Sequence, residues 1–215
     1  MSGRFITFEG PDGSGKSTHL NRAAGWLSER GVRVVRSREP GGTALGQAVR
    51  QVFLDAPWSE PDGGVEALLI FAARRQHLRE VIDPALADGR WVLCDRFTDS
   101  TLAYQGGGRG ESLERLLELD RWATGGRRPE RTLLFDLPVT LARERSHSDR
   151  RLAKVGKVNR LDTEDLEFYE RVRERYLELA AQEPERFTVI DSSGSVEATA
   201  RQVEAALTEL VEAVA

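Results

Sequence analysis

Cysteine occurs once, at Cys94, so no intramolecular disulfide framework can form, and this usage fits a reducing compartment. No apolar run approaches the roughly 20 residues that a membrane-spanning helix needs. No signal-peptide pattern precedes the first apolar run, Phe5–Phe8. Positive charge is not in excess: 31 Lys and Arg stand against 35 Asp and Glu, a net −4, which argues against a general nucleic-acid binder. The three histidines, His19, His77 and His147, are scattered without metal-ligand spacing and read as surface or helix-packing residues. Repeats, low-complexity tracts and interdomain linkers are also missing. These absences leave a cytoplasmic enzyme or nucleotide-driven switch as the expectation, in a single domain over residues 1–215.

What is present is ample material for a core. With 215 residues and 40% apolar content, the chain can bury a sizeable interior. Five short runs of apolar, β-branched and aromatic residues read as strands buried on both faces: Phe5–Glu9, Val32–Ser37, Trp91–Asp95, Thr132–Asp136 and Phe187–Asp191. Helical patterns separate them: Thr18–Arg30, Glu66–Ala87 with a new turn or kink at Pro84, Ser112–Ala123, Leu166–Ala181 and Val196–Val214. The alternation predicts an α/β fold, a five-stranded parallel sheet flanked by helices.

The most informative stretch is Gly10-Pro11-Asp12-Gly13-Ser14-Gly15-Lys16-Ser17, the pattern G-x-x-x-x-G-K-[ST] between a strand and a helix. Glycines let backbone N–H groups curl around a phosphate, and the helix start adds partial positive charge. Lys16 can reach β- and γ-phosphates, and the Ser17 hydroxyl can sit on Mg²⁺. Residues Gly10 to Thr18 are therefore the expected ATP-binding loop of a P-loop NTPase fold.

Ligands of open α/β sheets bind beyond the carboxyl ends of the strands. After the second strand come Arg38-Glu39-Pro40-Gly41-Gly42, and the third ends in Asp95-Arg96-Phe97. Asp95 can complete a Mg²⁺ shell, although Asp136, at the end of Leu133-Leu134-Phe135-Asp136, fits that role equally by pattern. Arg96 can hold a second phosphate bidentately, or serve a structural ion pair.

These segments together carry a resemblance. Phe8 to Thr18, then Arg38-Glu39-Pro40-Gly41-Gly42-Thr43, then Asp95-Arg96-Phe97-Thr98-Asp99-Ser100-Thr101-Leu102-Ala103-Tyr104-Gln105-Gly106-Gly107-Gly108-Arg109, are similar in order to the thymidylate kinases. The resemblance implies a P-loop nucleoside-monophosphate kinase that passes the γ-phosphoryl group of ATP to dTMP with Mg²⁺, in dTTP biosynthesis, as a homodimer.

It also implies roles. Asp12 contacts the deoxyribose and sits near the transferring phosphoryl; Glu39 lies near the metal and acceptor. Arg50 faces the acceptor nucleotide, Arg74 reaches the pyrimidine, and Arg96 holds the acceptor phosphate. Thr101 and Gln105 read the thymine edge, and Tyr104 packs under the sugar. The family's base-stacking phenylalanine falls at Ile70, with Phe71 next door, so either Phe71 stacks or Arg75 is the true counterpart of the pyrimidine-reaching arginine.

Some members carry a catalytic arginine inside the phosphate loop. Gly13 occupies that position here, which places the chain in the subtype whose lid supplies the charge. Residues 143–160 fit such a lid, with seven basic side chains against two acidic ones, and Gly156 as a flexible point. Arg150 and Arg151 are its candidate catalytic cations. Asn159 stands where the family has an acid, and Ser192-Ser193-Gly194 lies where its adenine loop falls or forms an ordinary turn. Two other functions compete: a P-loop kinase with another acceptor, and a silent nucleotide sensor or nucleic-acid ATPase. The Asp95-to-Arg109 block disfavours the first. Lys16, Asp95 and Arg96 together, with the acidic balance, disfavour the second.

Overall fold

A computed structural model describes residues 2–55, 62–152 and 164–212. Five strands, β1 (Phe5–Glu9), β2 (Val34–Arg38), β3 (Trp91–Asp95), β4 (Arg131–Asp136) and β5 (Phe187–Asp191), form one parallel sheet in the order β2-β3-β1-β4-β5. The central strands β1 and β3 are buried throughout, whereas the edge strands β2 and β5 are half-exposed.

Helices α1 (Lys16–Glu29), α2 (Ala44–Asp55), α3 (Gly63–His77), α4 (Asp83–Ala87), α5 (Thr98–Thr101), α6 (Leu113–Thr124), α7 (Val139–Leu152), α8 (Leu166–Gln182) and α9 (Val196–Glu212) flank the sheet. Ile6 and Phe8 of β1 pack with Leu27 of α1 and Leu207 of α9 on one side. Period-two alternation sends Phe5, Thr7 and Glu9 to the other side. There Phe5 joins Ile82 and Phe97, and Glu9 meets Tyr176 of α8. Among the described residues no helix is long and apolar enough to cross a membrane.

Two local departures from the sequence expectation have visible causes. Val32 belongs to the end of α1 rather than to β2. Gly31, at φ 77°, closes a Schellman cap in which its N–H meets Ser28 O at 3.0 Å and Val32 N–H meets Leu27 O at 3.1 Å. The expected helix Glu66–Ala87 is α3 plus α4, joined by a π-helical turn, Leu78–Ile82, with Pro84 in the first turn of α4. The stretch Leu102–Gly108, which ends in three glycines, is also π-helical; it continues α5 and packs on α8.

Candidate active site

The carboxyl ends of β1, β2 and β3 converge on a solvent-open cleft. Its lining includes Asp12, Lys16, Ser17, Glu39, Arg50, Arg74, Asp95, Arg96, Thr101, Tyr104 and Gln105.

The loop Gly10–Gly15 turns through positive φ at Gly10, Gly13 and Gly15 (131°, 83° and 83°), a backbone that side-chain-bearing residues rarely adopt. A Cβ on Gly13 would stand 2.0 Å from the carbonyl oxygen of Ala142 in α7, so an arginine has no room there. The loop ends as the N-cap of α1, and His19 N–H bonds Gly15 O at 3.0 Å. Ser14 Oγ is buried without a hydrogen-bond partner, and Thr18 is exposed in the first turn of α1. Lys16 lies back along the loop: its Nζ donates to Pro11 O at 2.8 Å and lies 3.9 Å from Asp12. Burial, then the neighbouring Arg96, lowers its pKa to about 8.

Ser17 Oγ donates to Asp95 Oδ2 at 2.7 Å. These two hard oxygen donors sit beside the phosphate loop, as a Mg²⁺ site shared with phosphate oxygens requires. Asp136, the rival by pattern, is engaged elsewhere: Arg173 donates to both its oxygens at 2.7 and 2.9 Å.

Arg96 follows Asp95 with φ 72°, among the described residues the one non-glycine residue in the left-handed region. That conformation costs energy and persists only where its surroundings hold it. Phe97 N–H donates to Glu9 Oε1 at 2.7 Å, fixing the turn from below. The guanidinium then bonds Asp12 (2.9 Å), Ser100 (3.1 Å) and the Tyr104 hydroxyl (3.1 Å), with its carbon 4.8 Å from the Tyr104 ring centre. Burial works against its charge, but Tyr104 and Asp12 raise its pKa well above the ordinary value. Burial also lifts Tyr104 to about 12, so the phenol keeps its proton. Glu9, fully buried, accepts from Ser100 and Tyr176 as well, and burial followed by Asp99 raises it to about 7. The sequence reading did not single out Glu9, Ser100 or Tyr176.

One wall of the cleft centres on Arg74, which is 1% exposed. Its Nε donates to Glu39 Oε2 at 2.7 Å and its Nη2 to Thr101 Oγ1 at 2.9 Å. Nη1 is buried with no hydrogen-bond partner, its neighbouring carboxylate Asp120 lying 3.8 Å away. Glu39 is thereby committed, because His77 Nδ1 holds its other oxygen at 2.9 Å while Nε2 meets Ser37 Oγ. His77 is therefore a buried bridge of the site's supporting network. Arg50 lines the cleft too; burial, then Arg38, lowers its pKa.

The expectation for Phe71 needs correction. Phe71 does not line the cleft; it is buried in the core, its ring 4.9 Å from the Arg74 guanidinium carbon, with Phe97 at 4.8 Å from the same carbon. Adjacent helix positions point about 100° apart, and it is Ile70 that faces the cleft, with Phe53. Arg75, the alternative counterpart, faces outward against Trp122.

The first part of the expected lid is α7. Arg143 lies 6.0 Å from the Tyr169 ring centre, and Arg145 donates to the carbonyls of Ser192 (2.6 Å) and Ser193 (2.8 Å), clasping the turn after β5. Arg150 and Arg151 stand in the last turn of α7, and their side chains lie outside what the structure describes. Lys154, Gly156, Lys157, Asn159 and Arg160 fall outside the described residues.

A glycine-rich loop between the central strand and α1, its lysine and serine over an aspartate at the end of β3, and this strand order define a P-loop NTPase fold. Comparison with known proteins narrows the class. The family model described as thymidylate kinase matches residues 8–203. The thymidylate kinase of Pseudomonas putida strain GB-1 is 48% identical over 212 residues, covering 99% of this chain and 98% of the relative. That of Cupriavidus pinatubonensis is 50% identical over 212 residues, with 98% and 100% covered. The crystal structure of thymidylate kinase from Ehrlichia chaffeensis superposes with a TM-score of 0.78 at 34% identity, covering 97% of this chain and 99% of that one. The chain belongs to the thymidylate kinase family.

Proposed function

We propose that this chain is a dTMP kinase, which transfers the γ-phosphoryl group of ATP to the phosphate of dTMP, giving dTDP and ADP for dTTP biosynthesis. The observation that carries this reading is one cleft holding two phosphate-binding devices, the Lys16 loop and Arg96, beside a wall of Arg74, Thr101 and Gln105, whose Oε1 has no hydrogen-bond partner.

An oxygen of the dTMP phosphate attacks the γ-phosphorus in line, and the bond to the β,γ-bridging oxygen breaks, leaving ADP. Little covalent work falls to the protein; it positions and neutralises. The loop Gly10–Thr18 cradles the ATP phosphates through backbone N–H groups, and Lys16 follows the transferring group. Ser17 and Asp95 hold Mg²⁺, which when bound offsets the charge of the phosphate oxygens. Arg96 binds the acceptor phosphate as a preformed fork. Asp12 keeps that fork aimed until phosphate takes its place and then turns to the sugar, against which Tyr104 packs. Arg74 Nη1 donates to thymine O4, and Gln105 Oε1, buried and without a partner, accepts from N3–H. Thr101 holds Arg74 in place, and Glu39 acts chiefly through Arg74.

The lack of room for a side chain at Gly13 supports the reading that a further cation for the transferring phosphoryl comes from the lid, residues 143–160. Arg150 and Arg151 are our assignments. Charge balance and the site's small-molecule scale favour a cytoplasmic enzyme without a nucleic-acid partner. A second copy completes it: Leu68, Ala72 and Arg75 line an exposed face of α3 beside Trp122 of α6, which is 70% exposed, an apolar surface suited to a homodimer.

The test is ADP release with Mg-ATP and dTMP, dUMP, UMP, CMP, dGMP or shikimate offered singly. Turnover led by dTMP, weaker with dUMP because a methyl discriminates by only about 1–3 kcal/mol, is the expected pattern. Turnover led by another acceptor would overturn the base-side assignments.

A further inference from the structure

The base-side wall contains a buried carboxylate for which the assignments above have no use. Glu66, Ile70 and Arg74 stand at i, i+4 and i+8 of α3, so one helical stripe carries all three toward the cleft. Glu66 is fully buried. Its Oε2 accepts from Gln105 Nε2 at 2.8 Å, and its Oε1 lies 3.2 Å from Arg109 Nη2. Arg109 is anchored in turn by Glu164 and by the Phe168 ring, 4.9 Å from its guanidinium carbon.

A carboxylate can only accept hydrogen bonds, whereas a primary amide has one donating and one accepting end. Facing Glu66, the Gln105 amide has one satisfactory orientation, with its NH₂ toward the carboxylate. Its Oε1 then points away from Glu66, and this oxygen is buried, without a partner, in a residue that lines the cleft. The opposite orientation would set the amide oxygen against the carboxylate and leave two buried acceptors in contact, a costly arrangement.

We propose that Glu66 is the positioning residue that sets pyrimidine specificity: it locks the Gln105 amide with its oxygen toward the base, so that the cleft accepts rings bearing an N3–H and rejects cytosine. This inference rests on the dTMP kinase reading. Thymine and uracil donate from N3, and the unpaired oxygen receives that proton. Cytosine carries a lone pair at N3, so its entry would leave both acceptors unsatisfied in a buried site. Binding sites reject ligands most strongly when their own polar groups are left unpaired. Arg109 keeps the lock closed by pairing with the Glu66 oxygen that Gln105 does not use.

The experiment is a double-mutant cycle of Glu66→Gln and Gln105→Leu, reading kcat/KM for dTMP and dCMP and KM for ATP, with thermal unfolding to confirm that each variant is folded. A glutamine at 66 can offer either end of its own amide, so Gln105 can turn. The ratio of dTMP to dCMP efficiency should fall at least about tenfold in Glu66→Gln, through a rise in dCMP use as well as a loss of dTMP use. KM for ATP should stay within about twofold, which a general loosening of the fold would not allow. Gln105→Leu removes the reader, so adding Glu66→Gln to it should leave the ratio unchanged. An unmoved ratio in Glu66→Gln, or an equal fall in the Gln105→Leu background, overturns the inference. If Glu66→Gln does not fold, an unaltered ratio in Gln105→Leu still overturns the inference, because Glu66 acts only through that amide. A folded wild type idle on dTMP but active on another acceptor would sink the kinase reading itself.

Discussion

The Ser17 hydroxyl at the start of α1 donates to the Asp95 carboxylate at the end of β3, 2.7 Å away, joining two segments 78 positions apart. The bond couples the phosphate loop to the strand beside it and leaves two oxygen donors in one place. Asp136 ends β4, on the other side of β1, yet Arg173 grips both of its oxygens. Asp95→Asn should therefore raise the Mg²⁺ concentration needed for half-maximal rate by about tenfold or more, roughly 1.4 kcal/mol. Asp136→Asn should leave that requirement alone and cost less than about 1 kcal/mol of stability, since its ion pair is partly exposed. A Mg²⁺ titration of both variants checks this, and the reverse ranking would move the metal to β4.

Arg96→Ala should cripple acceptor use while sparing ATP. Four hydrogen-bond partners, Asp12, Ser100, Tyr104 and Tyr176, and a strained backbone hold this guanidinium ready before any ligand arrives. Removing a buried, charge-paired donor costs about 2–5 kcal/mol, which predicts a loss in kcat/KM for dTMP of roughly 30-fold to a few thousand-fold. Steady-state kinetics against each substrate separates the two sites. Equal losses for ATP and dTMP would show that Arg96 serves the donor phosphates as well.

Lys16 gives a pH signature. Its pKa in the free protein is lowered to about 8, chiefly by burial. Bound phosphates favour the charged amine and raise that value again. Above pH 8 the free protein has lost the proton that the complex retains, so ATP binding must take one up, and affinity should weaken by up to about tenfold per pH unit. Calorimetry at pH 8.5 in two buffers of different ionisation heat measures the uptake. Binding without proton uptake would place Lys16 outside the phosphate contacts.

The sheet and the phosphate loop were legible because they are written locally. β1, β3 and β5 are short apolar runs with the observed bounds, and the loop's glycines fall where its backbone needs positive φ. Asp95 and Arg96 could be placed at the site because strand ends are. What the local pattern could not show is which side chain faces which way, or what a buried charge meets. Phe71 and Ile70 are adjacent and both apolar, so nothing nearby told core from cleft. Glu9 meets Tyr176 across 167 positions and Glu66 meets Gln105 across 39, and no local window contains both partners. One signal was available: Glu66 and Arg74 share a helical stripe through Ile70, a charged row too regular for a purely apolar core face.

Arg186 should matter to stability more than any group in the cleft. It donates to both oxygens of Asp99, at 2.6 and 2.9 Å, and to Glu183 at 2.8 Å. Asp99 is 2% exposed, beside Glu9 and under the Arg96 turn. Taking the guanidinium away leaves a buried carboxylate held by the Thr132 hydroxyl, at 3.2 Å. Breaking such a pair from one side costs about 3–5 kcal/mol. For a chain of this length each kcal/mol moves the melting midpoint by roughly 2–4 °C, so Arg186→Ala should melt about 6–20 °C below wild type. The gap should also depend on pH. Hydrogen bonding to Arg186 is the main cause that lowers Glu183 to about 2 from an ordinary 4.5. A depressed carboxylate contributes stability above its unfolded pKa and loses it as pH falls through the folded one. The difference between the two proteins should therefore be full above about pH 4.5 and narrow toward pH 2. Thermal unfolding across that range measures it, and a midpoint within about 2 °C of wild type at neutral pH would show that Asp99 finds compensation from solvent.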